Sequence, residues 1–167
     1  MLPLPVHTIR ALPGGDGSIV ATLREMVSMV KTWRLAPVIL QRATRLVRSC
    51  PEKNWRCEVA VLHAFVRDRV RYQMDVNTVE TLRTPELVLQ ERAGDCDDKS
   101  VLLASLLEAT GHPARFIALA FGPPPAPYSH VLVETRLGDE WIALETTERK
   151  PLGWKPQGAT RVLPFYV

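Results

Sequence analysis

The stretch DCDDKSVLLASLLEATGHP, residues 95–113, leaves its backbone few choices. Asp95 stands where a side chain can cap a helix, and Asp98 follows three residues later, an acidic form of the capping box. Gly111 closes the helix and Pro113 prevents its continuation. The next run, ARFIALAF, has the β-branched and aromatic content of a buried strand. Cys96 therefore falls in the first turn of a long helix. Unpaired backbone N–H groups and the positive end of the helix dipole favour a thiolate there, whereas Asp97 and Asp98 oppose one. A cationic partner such as an imidazolium is needed to reverse that opposition, which directs attention to the histidines.

Upstream, GDGSIVATLREMVSMVKTWR places Ile19, Val20, Leu23, Met26, Val27 and Val30 at helical spacing, with Asp16 or Ser18 as cap. Pro37 limits that helix. PVILQRATRLVRSC reads as a second, with Val38, Ile39, Leu46 and Val47 inward and Arg34, Arg42, Arg45 and Arg48 largely toward water. Pro51 ends it. NWRCEVAVLHAFVRDRVRY is a third, with Trp55, Val59, Leu62 and Val66 on one face; His63 reads as a core or boundary residue. Residues 73–83 look irregular, and TPELVLQ is a short helix capped by Thr84 with Pro85 at its first position. Beyond the central helix, GPPPAPYS is a stiff surface loop. HVLVETR and EWIALET are strands joined around Gly138–Asp139, and the tail from Lys150 shows no clear period. The class is α+β. One domain is expected over 1–167, with a helical part at 1–72, a core at about 73–150 and an extension at 151–167.

Composition sets limits. With 167 residues, 46% of them hydrophobic, the chain can bury a real core. No apolar stretch reaches the roughly 18 residues of a membrane span, so no membrane partner is expected. MLPLPVHTIR lacks a basic region leading into an apolar one, and a cytosolic product is expected. Three cysteines are an odd number and too few for a disulfide framework, so Cys50, Cys57 and Cys96 are expected to be reduced. Net charge is +3, with +7 over residues 1–72 and −4 over 73–167. The basic half reads as a solvated helical face. Aromatic and basic interleaving is missing, and nucleic acid is not an expected partner. A divalent-metal site from Asp95, Asp97 and Asp98 is disfavoured because successive helix residues point in different directions. No metal or cofactor is expected.

His130 is the candidate partner of Cys96. If Gly138–Asp139 is a two-residue hairpin loop, residues 137 and 140 pair and Leu132 faces Glu145. His130 lies two residues further along the same face, with Glu145 as its diagonal neighbour roughly 7–8 Å away by backbone. An imidazole and a carboxylate can meet across that gap. Glu145 can then fix the tautomer of His130 and stabilise its protonated form, the third-group role of a catalytic triad. A three-residue loop would reverse the parity and break this geometry.

The segments GDCDDKSVLLASLLEATGHPARF, SHVLVE and WIALETT together resemble the transglutaminase-like superfamily, and RYQMD and TPELVLQERA extend the likeness upstream. It covers roughly residues 63–147. The resemblance implies a papain-like core in which Cys96 is the nucleophile, His130 the general base and Glu145 the acid, at a position where the family usually has aspartate. Gly94 and Asp95 match the family's turn into the helix. The activity implied is attack of the Cys96 thiolate on an amide or ester carbonyl of a protein or peptide substrate, giving a thioacyl enzyme resolved by water or an amine. The Cys96 N–H is one oxyanion donor. Gln90 is a candidate second donor on the papain pattern, set against the plainer reading of an exposed residue on a short helix. Tyr128 and the loop before it are expected to border the cleft.

The compact arrangement, with its opening GGDGSIVATLREMVSMV, is similar to transglutaminase-like proteins of tailed bacteriophages and prophages. That narrower likeness implies the cytoplasm of a bacterial host or association with the virion, and phage structural proteins as partners. A competing reading is a virion or tail-assembly protein that keeps the fold with little activity; the glutamate at 145 fits it mildly, and an intact triad argues against it.

Overall fold

The computed structural model describes residues 16–74 and 81–167. Three helices come first: α1 (Asp16–Trp33), α2 (Pro37–Val47) and α3 (Trp55–Arg69). Pro37 opens α2 at its first position, and the Asn54 side chain caps α3 by accepting the Cys57 N–H. A short strand β1 (Arg71–Tyr72) and helix α4 (Pro85–Glu91) lead to β2 (Ala93–Gly94) and α5 (Cys96–Ala109). Thr84 caps α4 as its sequence predicts. Strands β3 (Ala114–Phe121), β4 (Tyr128–Leu137), β5 (Glu140–Leu144) and β6 (Ala159–Tyr166) form an antiparallel sheet in the order β5-β4-β3-β6. The result is the expected mixture of helices and a small antiparallel sheet.

From Val101 to Leu107, helix α5 is apolar on every side except at Ser105, so it must be enclosed. Val101, Leu102, Leu103, Ala104, Leu106 and Leu107 are fully buried. One continuous core joins them to Leu23, Met26 and Val30 of α1, Ile39 and Ala43 of α2, and Val59, Leu62 and Val66 of α3. Phe116 and Val133 close that core from the sheet. A smaller cluster of Ile117, Leu119, Leu132 and Ala143 occupies the other face. The chain leaves β5 at one edge and must cross this second face to enter β6 at the far edge. Lys155, in the crossing segment, pairs with buried Glu134 of β4 at 2.5 Å, and Gly153 N–H donates to Ala143 O.

Four sequence expectations are corrected. Cys50 and Cys57 form a disulfide that ties the α2–α3 connection to the first turn of α3; the Asn54 cap brings the two cysteines together, which counting cysteines cannot reveal. The tail holds β6, paired with β3 along its whole length. Its residues alternate between half-buried and exposed, but Val162, Pro164 and Tyr166 on the outer face are no more polar than Leu163 and Phe165 within, so no period shows. Pro164 is tolerated because β6 is an edge strand. Trp55 is not inward but 54% exposed, edge-on to the His112 ring. Arg34 is drawn from water toward Glu108 of α5, at 3.2 Å, and Arg42 lies over the Phe65 ring. The cap of α1 and residues 75–80 of the irregular stretch lie outside the described residues.

Candidate active site

Local chemistry fixes the start of α5. Asp95 accepts the N–H groups of Asp97 and Asp98, both at 3.0 Å, and the Asp98 carboxylate accepts the Asp95 N–H, completing the capping box. Asp98 is fully buried and also takes the Arg83 backbone N–H and guanidinium, each at 2.7 Å. Burial pushes the Asp98 pKa up and Arg83 pulls against it. A side chain at position 94 would meet Asp98 Cβ at 2.6 Å, so the turn into the helix requires Gly94. The parallel pairing of β1 with β2 holds this turn from below. The three acids thus have separate tasks, and no cluster of three metal-binding side chains occurs among the described residues.

Cys96 is the first residue of α5 and is half-buried. Its thiol donates to Asp97 Oδ1 at 3.5 Å and lies near the Val131 backbone N–H. Ser100, one turn on, donates to Val131 O. The sulfur therefore abuts the peptide that follows His130. Burial pushes the thiol pKa up strongly, and the charges of Asp97 and Asp95 add to that; the Val131 N–H opposes them. This reverses the expectation that a helix start lowers the pKa of Cys96. Burial and two adjacent carboxylates set the direction of the shift.

The hairpin follows the predicted register: Leu137 pairs with Glu140 and Val133 with Leu144. His130 and Glu145 meet as that register requires, with Nε2 donating to Glu145 Oε2 at 2.7 Å. Nδ1 is left as the other nitrogen of the ring. A register shift in the β3–β4 ladder leaves Ser129, beside His130, without a partner. Glu145 Oε1 accepts Thr147 N–H at 2.6 Å and Thr147 Oγ1–H at 2.7 Å. Burial alone would raise the Glu145 pKa; the bonds from His130 and Thr147 outweigh it and hold the carboxyl below its ordinary value.

Sequence reasoning missed the support beneath this pair. His63, buried on α3, donates Nε2–H to the Glu145 backbone carbonyl at 2.5 Å. Burial lowers its pKa, which favours the neutral ring. Its signal was faint: one titratable side chain inside the stripe of Val59, Leu62 and Val66. Lys99 is also buried and donates to Val70 O at 2.6 Å, closing the end of α3; burial lowers its pKa to about 8. Gln90 is exposed on α4 and its side chain makes no hydrogen bond among the described residues. Tyr128 is half-buried at the start of β4 beneath the Arg161 guanidinium.

Residues 41–146 match the transglutaminase-like superfamily, and the chain belongs to that family. Solved structures share the fold. A candidate protease of Parabacteroides distasonis aligns with a TM-score of 0.61 at 16% identity, over 78% of this chain and 26% of its own. A candidate cysteine protease of Cytophaga hutchinsonii aligns at 0.56 with 19% identity, over 95% and 55%. Calcium-bound LapG of Legionella pneumophila aligns at 0.56 with 16% identity, over 85% and 81%. The chain thus spans less than two thirds of the first two. No curated protein sequence matches it significantly.

Proposed function

We propose that the protein is a cysteine enzyme that acts on an amide or ester carbonyl of a protein or peptide through a thioacyl intermediate, with Cys96 as nucleophile, His130 as base and acid, and Glu145 as orienting carboxylate. The observation that carries this reading is the 2.7 Å bond from His130 Nε2 to Glu145, made beside the Val131 peptide that lies near the Cys96 sulfur. Because Nε2–H is given to Glu145, Nδ1 is the nitrogen that accepts the thiol proton. As the proton leaves, sulfur bonds to the carbonyl carbon and the carbonyl oxygen becomes an oxyanion. The Cys96 N–H, at the first helical position, has no partner among the described residues and supplies one donor to it. The imidazolium then gives its proton to the leaving amine or alcohol, the tetrahedral carbon collapses to the thioester, and water or an amine resolves it. Membership of a family with protease-named structural neighbours supports an enzyme of this class.

The narrower phage or prophage origin rests on the likeness of residues 14–30 and the compact arrangement. A structural role with little activity draws on one observation, the Cys96 thiol donating to Asp97 where burial and adjacent carboxylates raise its pKa. No described helix is long and apolar enough to cross a membrane. The Cys50–Cys57 disulfide weakens the cytoplasmic reading, since such bonds persist in oxidising compartments. Mass spectrometry of the protein treated with an electrophilic glutamine-peptide probe, with and without an amine, tests the proposal. An adduct on Cys96 that is lost in His130→Ala supports the enzyme, and transfer of the acyl group of an unmodified glutamine peptide to the amine identifies a transferase. A Cys96 that forms no adduct, or one indifferent to His130→Ala, leaves the structural role as the better reading.

A further inference from the structure

The end of α3 borders two adjoining cavities rich in arginine. Arg42, Arg69 and Arg92, from α2, α3 and the end of α4, line a cavity of about 230 Å³ with Phe65, Val70 and Leu89. A wider one, about 700 Å³, shares Phe65 and Arg69 and adds Arg67, Asp68 and Arg149. Arg67 and Asp68 satisfy each other through two hydrogen bonds of 2.8 and 2.7 Å. Arg42, Arg69 and Arg92 have no carboxylate at ion-pair distance among the described residues. Unneutralised like charges gathered at one concavity repel one another and attract an anion. All these cations are arginines, whose planar fork suits a carboxylate or another flat oxyanion better than a lysine does.

We propose that this groove binds an acidic, extended peptide segment of a protein partner, with carboxylates on Arg42, Arg69 and Arg92 and apolar side chains against Phe65 and Leu89. The lining decides between a peptide and a nucleic acid. Val70, Leu89, Leu46 and Val61 offer aliphatic surface for side chains. Phe65 is the aromatic ring shared by both cavities, and the Arg42 guanidinium covers it at 5.4 Å from its centroid, which takes up a face on which a base would stack. The site does not depend on whether Cys96 is a nucleophile.

The test is fluorescence anisotropy of a fluorescein-labelled peptide of alternating Glu and Leu with the full chain, at about 50 mM and about 300 mM salt. Saturable binding that weakens with salt is expected, at least about tenfold weaker in Arg69→Glu, while Arg48→Glu, the same charge change on an exposed residue outside the groove, stays within about twofold of the parent. Arg42→Ala, which removes no ion pair, should weaken binding too and serves if Arg69→Glu loses its native circular dichroism. Three results would overturn the proposal. One is no saturation up to about 1 mM peptide. Another is equal weakening by Arg48→Glu and Arg69→Glu, which reports net charge alone. The third is tighter, Arg69-dependent binding of a single-stranded oligonucleotide of equal charge, which would assign the groove to nucleic acid.

Discussion

The sulfur of Cys96 lies between two regions of opposite chemistry. On its own helix it meets Asp97, with Asp95 close behind, and both hold the proton on sulfur. Past the Val131 peptide beside it, the open end of the β4–β5 hairpin holds an imidazole fixed to a carboxylate that is itself satisfied by Thr147. One region raises the thiol pKa, and the proposed mechanism assigns removal of its proton to the other. A thiolate and imidazolium need not exist before substrate arrives.

The largest effect should come from removing the proposed base. His130→Ala is expected to slow formation of the Cys96 probe adduct by roughly 10²- to 10⁴-fold, read by intact-mass kinetics; a variant within a factor of two of the parent would leave the hairpin without a catalytic part. Relief of the opposing region should act in the other direction. Asp97→Asn is expected to speed alkylation of Cys96 by iodoacetamide at neutral pH by about three- to tenfold, since each unit of pKa lowered multiplies the thiolate about tenfold. No change would mean that burial alone holds the proton.

A smaller effect concerns the support under the acid. His63 has a folded-state pKa below its ordinary 6.5, so as pH falls through 6.5 the unfolded chain takes up a proton before the folded one does. Stability should therefore be flat with respect to this group above pH 6.5 and decline below it, toward the lower folded pKa. His63→Gln retains a donor for Glu145 O but does not titrate. Urea unfolding across pH 5 to 7 should show a shallower decline in that variant than in the parent, and identical slopes would remove His63 from the account. The smallest expected effect is local: Asp95→Ala should cost about 1 kcal/mol through loss of the α5 cap, measured by the same unfolding.

The hairpin and the α5 start were legible because short-range rules fix them. A two-residue loop sets parity, and parity alone put Glu145 opposite Leu132 and within reach of His130. Asp95 and Asp98 were read as a capping box from spacing, and that is what they form. What stayed hidden depends on long-range contact. His63 and Glu145 are 82 residues apart, and nothing local marks one as the support of the other. Strand β6 was missed because it gains its identity from the free edge of β3. The disulfide was missed because its halves lie on different elements, and a thiol titration in denaturant checks it directly: one thiol before reduction and three after.

The crossing from β5 to β6 has a consequence for how the molecule comes into being. Cys96, His130 and Glu145 all precede the crossing, so a growing chain carries the whole constellation before residues 159–166 exist. Until they do, β3 has a partner on one side only, and its other edge offers open N–H and C=O groups to any passing strand. Synthesis from the N-terminus makes that exposure an obligatory stage. The length of that interval is set by translation of the connector, which the Gly153 bond to Ala143 and the Lys155 pair with Glu134 tie to the sheet before the last strand begins.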